Sequence, residues 1–285
     1  MNAITETNFI YAASRIERSQ LLAALHDNQF HPYFQPIVCA DGAWQGAEML
    51  MRWHHPRHGV LPPAEFLTQL AEEGLLVAAT RQILTKTRNT WREATLRLNR
   101  PFFLSFNACL AHLQSASLPK ECRSFLKHMD DRQLGLMVEM PERGADLTAD
   151  HCAALFCELG NAGATVAIDD FGIGDARLHQ FACGPISCVK IDRSFVEQME
   201  SNPMYGRLIA KIVDLARAFG AHVTAEGVET VAQHRRLRRL GVGLFQGYLF
   251  GKPVAAPEFF TYLNASGALV SGDEPECQMA TPNLK

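Results

Sequence analysis

The feature that most constrains the fold is a series of short apolar segments, each closed by a polar residue and followed by a turn signal and a helix-like stretch. In order, the closing residues are Glu48, Asn107, Glu139, Asp169 with Asp170, Lys190, Glu226 and Gln246. Alternation of this kind builds βα units. A parallel barrel then gathers the residues at the ends of its strands into one mouth. Strand-like segments fall at 30–39, 44–53, 102–107, 134–139, 163–168, 186–191, 222–225 and 242–245. Their spacing of roughly 20–40 residues is that of a βα unit. The pattern predicts an α/β fold, a closed TIM-like (β/α)8 barrel. The first two segments lie too close together for a crossover helix, which needs about a dozen residues. Strand one is therefore expected to run antiparallel to strand two, leaving one antiparallel strand in the ring.

Helical periodicity is expected over 18–28, 64–74, 75–98, 150–161, 205–219 and 230–240, with a His/Pro/Gly loop over 54–63. One domain spans 18–265. Residues 1–17 read as a loose arm. Residues 266–285, rich in Ser, Gly, Asp, Glu and Pro, read as a disordered tail. Hydrophobic residues make up 47% of the 285, enough for a sizeable core, and the formal charge of -3 gives no general attraction for DNA or RNA. The eight cysteines form no C-x-x-C pair and several sit in apolar runs, as buried thiols do in a reducing compartment. Charged residues interrupt any leader-like segment at the N-terminus, and no apolar run is long enough to cross a bilayer. A cytoplasmic protein with no membrane insertion is expected.

Several carboxylates converging on one mouth would repel one another unless cations sat between them, and oxygen ligands suit magnesium or manganese. Adjacent Asp169 and Asp170 could bridge two cations, Asp169 touching both; the alternative is a solvated Asp pair opening a loop. Asp-Phe-Gly also occurs in protein kinases, but the catalytic and glycine-rich loops of that fold are missing. Any single acid could be a helix cap or a surface charge. Asp and Glu are 30 of 285 residues, so chance puts one at a given strand end about one time in ten, and the set carries the argument. Lys190, inside an apolar strand, either snorkels at the rim or sits near metals, where cation repulsion depresses its pKa and it can position or deprotonate a water. Arg52 could bind a phosphate oxygen or form a surface ion pair. His54, His55 and His58 lack the closed ligand set that zinc needs and read as loop structure.

Together these residues resemble the EAL-domain family, the cyclic-di-GMP phosphodiesterases. The name-giving stretch appears as Glu48-Met49-Leu50-Met51-Arg52, preceded by Phe34-Gln35-Pro36-Ile37. Phe106-Asn107-Ala108-Cys109, Glu139-Met140-Pro141-Glu142, Asp169-Asp170-Phe171-Gly172-Ile173-Gly174, Lys190-Ile191-Asp192-Arg193-Ser194-Phe195, Ala225-Glu226-Gly227-Val228-Glu229 and Phe245-Gln246-Gly247-Tyr248 follow in the family's order. The resemblance implies hydrolysis of cyclic di-GMP to linear pGpG by a water activated between two Mg2+ or Mn2+ ions, in a barrel that is often a homodimer. It implies that Glu48, Asn107, Glu139 and Asp169 hold one ion and that Asp169 and Asp170 hold the other with Glu226 nearby. Lys190, Glu226 and Glu48 are implied in catalysis; Gln35, Leu50, Arg52, Asp192 and Gln246 in substrate binding; Glu142 in bracing the loop after Asp170. Met49, Pro141, Ile173 and the stretch Asp175-Ala176-Arg177 depart from the family's pattern, while every metal-ligand position is kept. The alternative is a catalytically weak cyclic-di-GMP receptor or a protein-interaction module on the same scaffold.

Overall fold

In the computed structural model, residues 16–94, 97–127, 129, 133–142, 147–173 and 180–269 are described. The strands are β1 (Phe30–Cys39), β2 (Trp44–His55), β3 (Gly59–Leu61), β4 (Phe102–Asn107), β5 (Leu134–Pro141), β6 (Ala164–Phe171), β7 (Cys188–Ile191), β8 (His222–Ala225), β9 (Leu244–Gln246) and β10 (Val254–Ala255). The helices are α1 (Arg18–His26), α2 (Leu67–Glu72), α3 (Leu76–Glu93), α4 (Leu110–Leu113), α5 (Leu118–Lys127), α6 (Ala149–Asn161), α7 (Gln180–Cys183), α8 (Arg193–Ser201), α9 (Pro203–Ala218), α10 (Val231–Arg239) and α11 (Ala256–Ala265).

Among the described residues, eight of the ten strands close a ring in the order β1-β2-β4-β5-β6-β7-β8-β9, with β9 returning to β1. From β2 round to β9 each ring neighbour is parallel, whereas β1 is antiparallel to both β2 and β9. The expected reversal is present, and its cause is the short turn around Gly42 (φ 88°), closed by the Cys39 amide donating to the Ala43 carbonyl at 2.9 Å. Strands covered on both faces carry continuous apolar runs, and all four residues of β7 are buried, Lys190 among them.

Helices cover the outside. The apolar face of α3 (Ala79, Ile83, Leu84, Trp91) lies against the sheet. Trp91 meets Phe34, Phe102, Phe259 and Phe260 at ring-centroid distances of 5.3–6.5 Å. Phe259 of α11 is fully buried and also packs on Trp44, so α11 seals the sheet beside β1. Thr230 and Gln233 form a capping box that starts α10, and Thr148 caps α6.

Some local expectations are corrected. Residues 54–63 are not simply loop, because β2 runs on to His55 and folds back through β3. The His55 ring caps that turn, its Nδ1 accepting from the Arg57 and His58 amides at 3.1 and 3.2 Å. His54 stacks on His31 at 4.1 Å, so neither imidazole is arranged as part of a zinc site. The first residues of the expected tail are seated: Ala268 is buried, Leu269 bridges Leu98, and the Asn99 amide donates to the Ala268 carbonyl at 3.1 Å. Residues 270–285 and 1–15, the rest of the expected tail and arm, lie outside the described residues, as does the Asp175-Ala176-Arg177 stretch. No described helix is long and apolar enough to cross a membrane.

Candidate active site

Strand pairing brings the polar strand-end residues to one end of the ring. Glu48 faces Gln35 across the β1–β2 pair, and Asn107 is level with Glu139. Glu226 follows β8 directly, its amide donating to the Ile191 carbonyl at 3.1 Å. Gln246 ends β9. Its turn comes so close to residue 228 that a Cβ on Gly247 would stand 2.2 Å from the Val228 carbonyl oxygen, a contact only glycine permits.

Successive residues of a strand face opposite ways, so Asp169 and Asp170 should not share a target. They do because Asp170 adopts φ 54° and the β6–β7 register slips between Ile168 and Phe171. This irregularity re-aims the second carboxylate. One oxygen each from Asp169, Asp170 and Glu226 then lie within 4.8 Å of one another. The turn is held by Glu142, which accepts from the Gly172 amide at 3.0 Å and donates its own amide to the Asp169 carbonyl at 3.1 Å.

Lys190 is the hub. Its Nζ lies 2.6 Å from Glu226, 2.7 Å from Glu139, 3.1 Å from Asp169 and 3.5 Å from Glu48. Glu48 is fixed at both oxygens: Asn107 donates to Oε1 and Gln246 donates to Oε2, each at 2.7 Å. The Gln246 amide also reaches Gln35 Oε1 at 3.0 Å, and Gln35 donates to the Gly251 carbonyl at 3.1 Å.

Burial and mutual repulsion govern the charges. Burial, then the carboxylates of Glu48 and Asp169, push Glu139 well above the ordinary carboxylate range. Burial is likewise the first cause for Glu226, raised to about 8, and for Asp170, raised to about 6 with Asp169 and Asp192 adding to the shift. Glu48 goes the other way: burial opposes its charge, but Lys190 and the two amide donors outweigh it and hold its pKa low. For Lys190 burial alone would favour the neutral amine, yet Asp169, Glu139, Glu226 and Glu48 together raise it well above its ordinary value. Among the side chains alone, four carboxylates outweigh the desolvation of one ammonium; the depressed lysine expected from sequence belongs to a site with cations bound, which is a separate case.

The donor set fits hard divalent cations. It offers oxygens only, and Glu139 Oε1 and Gln246 Oε1 are buried without a hydrogen-bond partner. A buried acceptor left unmade is costly, and a cation would satisfy such atoms.

Two clefts meet at Leu50. One, with about 680 Å³ of open space, is lined by Gln35, Glu48, Asp169, Lys190, Glu226 and Gln246, together with Arg193, Glu229 and Tyr248. The other, about 920 Å³, is mostly apolar (Met49, Leu67, Leu76, Ile83, Phe106) and reaches Asn107, Asp169 and Asp170. The Arg52 guanidinium sits 5.6 Å over the Tyr33 ring and donates to the Met51 carbonyl at 2.9 Å. Asp192 is not in either lining; it caps α8, accepting from the Ser194 amide at 2.8 Å. Arg193, Glu229 and Tyr248 stand in the stretches that carry the family resemblance but were given no role from sequence.

The family model for the EAL domain matches residues 18–253. Among curated proteins, the chain is similar to the cyclic di-GMP phosphodiesterase PdeL of Escherichia coli, with 33% identity over 239 residues, 84% of this chain and 66% of that protein. It is similar to the cyclic di-GMP phosphodiesterase RocR of Pseudomonas aeruginosa, with 33% identity over 249 residues, 87% of this chain and 63% of that one. The chain thus spans just under two thirds of each relative's length. Among solved structures it resembles the PaMucR phosphodiesterase in its c-di-GMP complex, with a TM-score of 0.76 and 30% identity, covering 85% of this chain and 98% of that one. It also resembles the EAL enzyme Bd1971 with cAMP and cyclic di-GMP bound, with a TM-score of 0.74 and 27% identity, covering 86% and 67% of the two chains.

Proposed function

This chain belongs to the EAL-domain family, and from that premise we propose that it hydrolyses cyclic di-GMP to linear pGpG with the help of Mg2+ or Mn2+. The observation that carries the reading is the convergence of Glu48, Glu139, Asp169 and Glu226 on Lys190, with Asp170 and Asn107 at their side. Glu48, Asn107, Glu139 and Asp169 would hold one ion, and Asp169, Asp170 and Glu226 a second. The chemistry such ions supply when bound is a lowered pKa for a coordinated water and stabilisation of charge on phosphoryl oxygens.

The chain's own groups do the rest. The Lys190 ammonium, held charged by its neighbours, orients the attacking water by donating to it. Gln246 and Asn107 keep Glu48 ionised and fixed in direction. Gln35, Leu50 and Gln246 border the cleft where a base would sit, and Arg52 offers a guanidinium to a phosphate oxygen. Asp192 acts near the substrate through Asp170 and the start of α8. Glu142 fixes the turn that aims Asp170. The family premise also supports a homodimer. The cytoplasmic setting is part of the same proposal, argued from cysteines that sit in apolar runs without C-x-x-C pairing.

Purified protein incubated with cyclic di-GMP and Mn2+ should yield pGpG by liquid chromatography, and Glu48→Ala should lose at least a hundredfold in rate (an order-of-magnitude expectation, ~3 kcal/mol). Binding of the dinucleotide with no pGpG at high enzyme concentration would instead make the protein a receptor.

A further inference from the structure

The strand face that carries Gln35 and Glu48 continues outward beyond them. In the β1–β2 pair Gln35 lies opposite Glu48, Tyr33 opposite Leu50 and His31 opposite Arg52. Directly opposed residues share a face, and alternate residues along a strand return to it. Tyr33, His31 and Arg52 therefore stand on the face of the mouth acids, one and two steps further out. Phe34, on the reverse face, packs outward on Trp91 and Phe259.

On this face Arg52 is a half-buried cation without a counter-charge. No ion pair among the described residues includes it. Its guanidinium donates only to the carbonyl of its own neighbour, Met51, at 2.9 Å. A guanidinium so placed has donors left for an external anion. Its orientation comes from Tyr33. The guanidinium carbon lies 5.6 Å from the centroid of that ring, within the range of cation–π attraction.

The ring is itself held. The Tyr33 backbone is paired on both sides, with Leu50 in β2 and Ala255 in β10. Its hydroxyl is 3.4 Å from His54 Nε2, and the His54 ring meets it edge-on at 5.9 Å. His54 stacks on His31 at 4.1 Å, and His31 Nε2 lies 3.3 Å from Lys86 Nζ. Lys86 donates to the Phe30 carbonyl at 2.7 Å. A continuous line of contacts thus runs from α3 to the guanidinium.

We propose that Tyr33 is a positioning residue for the substrate: its ring holds the Arg52 guanidinium in the orientation that receives a phosphate oxygen of the cyclic dinucleotide. This rests on the functional reading above, which gives Arg52 to the phosphate. A planar guanidinium bonds phosphate in a fixed geometry, so one already oriented loses less freedom when the ligand arrives. The gain falls on binding. Lys190 and its carboxylates, which face the reacting water, hold one another without Tyr33.

The full chain is assayed for cyclic di-GMP hydrolysis in Mn2+ by steady-state kinetics, and for cyclic di-GMP binding without added metal by calorimetry. Tyr33→Leu is expected to raise KM and Kd about tenfold, with kcat within about twofold of wild type. Tyr33→Met, a second variant without a ring, should match it. Tyr33→Phe keeps the ring and should stay near wild type. In an Arg52→Ala chain, Tyr33→Leu should add nothing, because the group it orients is gone. An equal loss in the Arg52→Ala chain, a fall in kcat at constant KM, or a Tyr33→Phe as weak as Tyr33→Leu overturns the proposal. If Arg52→Ala leaves KM and Kd unchanged, or wild type neither binds nor hydrolyses cyclic di-GMP, the functional reading fails and takes this inference with it. If Arg52→Ala raises KM while Tyr33→Leu matches wild type, this inference alone fails.

Discussion

Lys190 and its four carboxylates show how much one residue can decide. A buried ion pair contributes little beyond an apolar substitute, but removing one partner leaves the others uncompensated, at a cost of about 3–5 kcal/mol. Lys190→Met is therefore expected to lower urea-denaturation stability by that order and to abolish hydrolysis. It should also tighten Mn2+ binding in calorimetry, because a competing cation has gone; unchanged stability and turnover would remove Lys190 from the centre of the site. A second residue-scale expectation concerns His31. Burial first, then Lys86 with its Nζ 3.3 Å away and the stacked His54 ring, lower its pKa from 6.5 to about 4. Between those values the unfolded chain binds more protons than the folded one. The neutral ring's contribution is thus complete above pH 6.5 and is lost as pH falls towards 4. Urea titrations at pH 7 and pH 5 should show a smaller drop for His31→Gln than for wild type. At this scale sequence reasoning located the residues that converge around Lys190 because each closes an apolar strand. It gave no role to Arg193, Glu229 and Tyr248, which lie in the same motif stretches but sit where a turn or helix begins and look like ordinary rim residues.

At the scale of elements, α11 is the instructive case. Its sequence, Ala256 to Ala265, is short and follows a brief strand, so no long periodic stretch announces it. Yet Phe259 stands at the meeting of Phe34, Trp44 and Trp91. Truncating a buried aromatic costs about 3–5 kcal/mol, and Phe259→Ala should show a loss of that order in the same denaturation assay, with β1 the first element to lose hydrogen-exchange protection. Strands β4 to β8 were legible because barrel strands are apolar on both faces. β3, three residues long, and the one-turn helices α4 and α7 were not, since pairing and packing rather than local pattern create them. The reversal of β1 was legible from a different quantity altogether, the length of the connection to β2.

For the molecule as a whole, the proposed ions would link chemistry to stability. Ligands that bind only the folded chain stabilise it by mass action, about 2.7 kcal/mol at a hundredfold excess over Kd. Mn2+ should accordingly raise Tm by several degrees in a thermal melt, with EDTA reversing the shift; a melt indifferent to both would count against the metal reading. The sequence's -3 charge gives no general pull on an anionic substrate, so that pull must be local to the mouth. The ring closes where β9 meets β1, and there the Gln246 amide grips Gln35 across 211 positions and Glu48 across 198. A ribosome still short of β9 has already delivered every acid of the mouth but not the amide that aims Glu48. Competence at this site therefore arrives as a single late event in synthesis, and a truncated nascent chain would be silent rather than slow.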